Sequence, residues 1–212
     1  MGFFSNILRN AAESAVSSTV SNAVDRAVDK AVDSAINGSA NGVGKGKIES
    51  KTFTFASIPT SVAQLQALPE ATLTDAFATT ALSVLALCNF ENNKDATFEM
   101  IDFLNGPEDV NPYTKQFITE HLGGQQYKVM SYFAGATVEN NYTPTVPYTI
   151  TVSSTPYSFD NENWATLYVQ SAGADSPRPM KLRKKPSTGQ WFLSEIQILA
   201  DIRTPAASDP WA

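Results

Sequence analysis

Between Arg178 and Lys185 the chain alternates, with Met180 and Leu182 on one parity and Lys181, Arg183 and Lys185 on the other. That is the period of a strand with one dry face and one wet face. Pro186-Ser187-Thr188-Gly189 follows as a turn, since proline presets φ and glycine takes a positive φ without steric cost. The return run, Gln190–Leu199, carries Phe192, Ile196 and Ile198 on one parity and Trp191 and Leu193 on the other. Being apolar on both, it is expected to be covered on both sides and to lie inside a sheet. Pro177 and Pro179 lack the N–H a ladder needs, so the first strand is expected to begin after them.

The segments that precede this hairpin decide what it pairs with. Lys51–Ile58 alternates Phe53 and Phe55 with threonines, a first strand stopped by Pro59. Leu73–Phe90 reads as a helix, with Phe77, Ala81, Val84, Leu85 and Cys88 on one face and Leu82 and Leu87 widening the stripe toward full burial. Asp95–Leu104 presents Phe98, Ile101 and Leu104, and Gly106-Pro107 ends it. The third helix has Asn111 as N-cap, Pro112 at its first position and Gly123-Gly124 as its stop. Its apolar face is expected to hold Tyr113, Phe117, Ile118 and Leu122. From there Tyr127–Phe133, Tyr148–Ser153 and Trp164–Ser171 read as strands, joined by the polar runs Glu139–Pro147 and Thr155–Asn163. About three helices followed by a curved antiparallel sheet of about five strands, the helices laid on one face, make an α+β fold.

Ahead of this domain, residues 3–36 carry the most regular pattern in the chain. Phe3, Phe4, Ile7, Leu8, Val16 and Val20 recur at helical spacing, and from Ala23 the sequence settles into an alanine-valine tetrad that places Val24, Val28, Val32 and Ile36 in one row. A four-residue repeat winds slowly round a helix, so a long amphipathic N-terminal helix over residues 1–37 is expected. A small-residue face of that length wants a partner, with a second copy or another protein first in order. Docking on the chain's own globular part is the structural alternative. A membrane surface ranks below both, because Asp25, Asp29 and Asp33 oppose anionic lipid. Residues 38–50 form a glycine-rich linker, residues 51–203 the α+β domain, and residues 204–212 a Pro- and Ala-rich tail whose Trp211 is expected to dock on the sheet.

The net charge of −6 is unevenly distributed. Residues 51–171 hold four Lys and Arg against twelve Asp and Glu, whereas residues 172–203 hold six against three. A basic hairpin beside acidic helices of the same domain accounts for this, and so small an excess argues against nucleic acid as a partner. The single cysteine, Cys88, excludes an intrachain disulfide and points to a reducing, cytoplasmic setting. The N-terminus lacks the layout of a secretory signal, and Asn6 breaks the myristoylation pattern after Gly2. One histidine, His121, and one cysteine do not make a metal site, and no cofactor is expected. Cys88 reads as a core thiol and His121 as a residue facing the carbonyls of its helix C-terminus, not as a catalytic pair.

The order of a few helices and then a meander ending in GQWFLSE resembles the cone-shaped nuclear-transport-factor-2-like fold over roughly residues 51–203. More specifically, GADSPRPMKLRKKPSTGQWF, then ILADIRTP and the terminal DPWA, resemble the signature of a bacterial family of unknown function. That resemblance implies an intracellular bacterial protein and brings no activity, cofactor or site residues. The leading expectation is a non-enzymatic interaction or assembly protein whose globular domain is presented by the N-terminal helix. The alternative is a small-molecule-binding domain or enzyme using a pocket on the concave face of the sheet. Its candidates are Asp175, Arg178, Arg183, Trp191 and Glu195, with Arg178 gripping a carboxylate or phosphate and Trp191 forming an apolar wall.

Overall fold

A computed structural model describes residues 46–208. Both the expected N-terminal helix and Trp211 of the tail lie outside the described residues. The domain is α+β. One strand, β1 (Ser50–Phe55), comes first. Five α-helices follow: α1 (Val62–Gln66), α2 (Ala76–Leu87), α3 (Lys94–Asn105), α4 (Pro112–Leu122) and α5 (Tyr127–Met130). Then come β2 (Tyr148–Ser153), β3 (Trp164–Val169), β4 (Arg178–Lys185) and β5 (Gln190–Ile196). All pairings are antiparallel and the strand order is β1-β2-β3-β4-β5.

Helix α2 is the centre of the molecule. All twelve of its residues are buried, and it touches every strand as well as α3 and α5. A helix enclosed on all sides must satisfy its polar side chains within itself. It does so by back-bonding: the hydroxyls of Thr79, Thr80 and Ser83 donate to the carbonyls of Asp75, Ala76 and Thr79, at 3.1, 2.9 and 2.8 Å. At its N-terminus Asp75 accepts from the Phe77 N–H and holds the Lys51 ammonium of β1 at 2.8 Å. At the other end the Gln126 amide donates to the last carbonyls, Leu87 and Cys88, at 3.2 and 2.6 Å. One face of the sheet, from Ile150 and Val152 through Leu167 and Met180 to Leu193, packs with this helix in one core.

Four expectations need correction. Tyr127–Phe133 is not a strand: it forms the short helix α5 and a turn. Its apolar residues fit either period, and the Gln126 bonds to the end of α2 settle the backbone as a helical turn. The fifth strand is instead β1, paired along its whole length with β2. Second, β5 is an edge strand, not an interior one. It is apolar on both parities because its free edge is covered: Trp191 N–H donates to the Leu73 carbonyl at 2.7 Å, and Thr79 donates to the Trp191 carbonyl at 3.3 Å. Third, β4 begins at Arg178 and includes Pro179, which pairs only with Tyr168 of β3, because β5 leaves the ladder after Met180. A strand with one neighbour tolerates a proline. Fourth, Tyr113 is 80% exposed and takes no part in the apolar face of α4, which buries Ile118 and Leu122.

The sheet is joined most weakly at its middle. β2 and β3 share two residue pairs, Val152 with Val169 and Ser153 with Tyr168, whereas β1–β2 and β3–β4 are each paired over six. A register shift after Lys181 leaves Ser194 unpaired on β5 and bends the hairpin.

Candidate functional site

A groove of about 510 Å³ opens between the α3–α4 loop and the β4–β5 hairpin. Its floor combines the apolar Ile101 of α3, Val110, and Phe192, Leu193 and Ile196 of β5 with the polar Asn105, Asn111, Thr114 and Ser194. One lip carries Glu108 and Asp109, and the other Arg183, Lys184 and Lys185. The alternation read in β4 produces the second lip, because Met180 and Leu182 face the core and so direct Arg183 and Lys185 outward. The acidic lip is fixed by hydrogen bonds from below. Asp102 accepts the Val110 N–H at 2.8 Å and pairs with Lys115 at 3.1 Å, while the Asn105 amide donates to the Glu108 carbonyl at 2.7 Å. Asn111 caps α4 by accepting the Thr114 N–H at 2.8 Å. Gly106, at φ +92°, lies flat against the Phe192 ring, where a Cβ would stand 2.6 Å from Cδ1.

Of the five residues singled out in the sequence, only Arg183 lines this groove. Its guanidinium also stacks on Trp164, its cross-strand partner, at 5.4 Å from the ring centroid. Glu195 pairs with Lys181 across the hairpin at 3.0 Å. Asp175 pairs with Arg203 at 2.9 Å, both exposed, rather than with Arg178 three residues on. Arg178 donates from Nη2 to the Asp201 carbonyl at 2.9 Å. Trp191 packs edge-on against Phe159 at 5.8 Å, with the Lys184 ammonium 5.6 Å from its centroid. The five are therefore dispersed over the hairpin and the turn ahead of it. Glu108, Asp109 and Phe192 were not singled out, although Gly106-Pro107 ahead of two acids and an N-cap marks a tight loop with charged residues at its tip.

A second polar cluster pins the final segment. The carbonyls of Ile198, Asp201 and Arg203 each accept a side-chain donor, from Tyr132 (2.6 Å), Arg178 (2.9 Å) and Tyr142 (2.8 Å) respectively. Beside it Lys128 is only 9% exposed. Burial pushes its ammonium below the ordinary lysine range, and the Asp201 charge partly restores it. Burial likewise raises the Tyr132 phenol, against the nearby Arg178 charge.

The Cys88 thiol is buried, donates to the Val84 carbonyl at 3.3 Å, and is driven by burial well above the ordinary thiol range. His121 lies with Nδ1 2.9 Å from the Phe117 carbonyl and its ring against that of Phe117. Among the described residues no helix is long and apolar enough to cross a membrane.

A family model matches residues 57–206, from just after β1 to the last turn. The chain belongs to the family described as Domain of unknown function (DUF6935). The DUF6935 segment thus contains α2, both lips of the groove and the pinned final segment, while β1, which completes the sheet, precedes it. No curated protein and no solved structure matches the chain.

Proposed function

We propose that this DUF6935 chain is a non-enzymatic interaction or assembly protein. Residues 46–208 serve as a folded platform, and the alanine- and valine-patterned residues 3–36 make the contact, first with a second copy. The observation that supports this reading is the complete burial of α2 against the sheet. Twelve buried side chains, three of them with back-bonded hydroxyls, fill the space over the inner face of the sheet. Size-exclusion chromatography with light scattering on the full chain tests it. The expected result is a dimer or larger assembly that falls to monomer mass on Val24→Asp with Val28→Asp. A full chain that stays monomeric across the accessible concentration range overturns self-association.

A small-molecule-binding domain is the second reading, and the groove at the rim of the sheet favours it. Its volume is within the range of about 300–1,000 Å³ typical of ligand sites.

A further inference from the structure

The groove lips are opposite in sign, yet they do not neutralise each other. Among the described residues, no opposite charge lies within 4.0 Å of Glu108, Asp109, Arg183 or Lys185. Other carboxylates and ammonium groups of the domain do find partners: Asp102 takes Lys115, Glu195 takes Lys181, and Asp75 takes Lys51. The α3–α4 loop and the hairpin instead flank a partly apolar floor, with Phe192 packed against Gly106. Two acids on one side, three bases on the other and a partly apolar floor between them form the complement of a molecule with the reverse arrangement.

We propose that the groove binds a short zwitterionic peptide of two or three apolar residues. Its free carboxylate lies against Arg183 and Lys185, its free ammonium against Glu108 and Asp109, and its side chains rest chiefly on Phe192, beside Val110 and Ile196. Arg183 is suited to the carboxylate because its planar fork offers two parallel donors. Stacking on Trp164 already holds that fork in place, which reduces the entropy lost on binding. The proposal stands apart from the assembly reading, since none of its residues lies in the N-terminal segment.

The test uses the full chain and trileucine, followed by the fluorescence of Trp191, which adjoins the floor residue Phe192. Trileucine is expected to bind at about 1 mM or tighter. N-acetylation and C-amidation are each expected to weaken it about tenfold. The variant Arg183→Gln with Lys185→Gln is expected to lose the distinction between acid and amide while keeping that between amine and acetyl. Glu108→Gln with Asp109→Asn is expected to do the reverse. These changes are on exposed lips, and unchanged thermal melts establish that the fold survives. Equal binding of free and doubly blocked peptide overturns the proposal, as does failure of trileucine to bind, or binding indifferent to both pairs of substitutions.

Discussion

Gly106 stands where the end of α3 meets the ring of Phe192, and two separate demands fall on it. Its φ of +92° is one that side-chain-bearing residues rarely adopt, and a Cβ would enter the aromatic ring. Gly106→Ala is therefore expected to cost about 2 kcal/mol, read as a lower denaturant midpoint with an unchanged slope. A variant as stable as the wild type would mean that the α3 terminus and Phe192 can part freely. Leu73 meets a similar backbone demand without glycine's freedom. At φ 60° it accepts a strain of about 1 kcal/mol, offset by a buried side chain and by the carbonyl that takes the Trp191 N–H. Lys128 gives a pH signature. Its pKa is lowered by burial, so between that value and the ordinary 10.5 the unfolded chain binds more protons than the folded one. Stability contributed at this site then rises with pH through that window. Tyr132, whose pKa is raised, acts in the opposite sense above 10 and is present alike in the wild type and in a Lys128→Met variant. Lys128→Met is expected to be more stable than wild type at neutral pH, with the gap in melting temperature narrowing as pH approaches 10.5. A gap that does not change with pH would contradict this.

At the scale of elements, α2 supports every strand, so truncations on it test the packing most sharply. Leu85 is fully buried, and Leu85→Ala is expected to cost about 3 kcal/mol by urea denaturation. A loss below 1 kcal/mol would mean that the helix is not the packed centre described here. Asp75→Ala removes both the cap and the partner of Lys51, and about 1–2 kcal/mol is expected. These same elements show what could be read beforehand. The hairpin, the buried helix and the third helix with its Asn111-Pro112 start were legible because period and punctuation agree in each. The run 127–133 was not, because seven residues satisfy both periods and the deciding bonds come from Gln126 to a helix distant in sequence. The edge position of β5 was hidden for a related reason. An apolar strand reads as interior whether a neighbouring strand or the Leu73 loop covers it. The groove was half legible: Arg183 follows from strand alternation, but its opposing lip comes from a loop some 75 residues earlier in the chain.

At the scale of the whole molecule, the proposed function divides labour between a filled domain and the patterned segment ahead of it. The first described residues already belong to the domain, with Gly46 N–H donating to the Pro156 carbonyl and the Glu49 N–H to Ser154. A side chain at Gly46 would meet that carbonyl oxygen at 2.6 Å. Hydrogen exchange with mass spectrometry, run on the full chain at low and at high protein concentration, examines this division most directly. The account predicts that protection rises with concentration in peptides from residues 3–36 while those of α2 and β2–β5 exchange at the same slow rate throughout. Exchange in residues 3–36 that is indifferent to concentration, or concentration-dependent protection on the sheet instead, would contradict it.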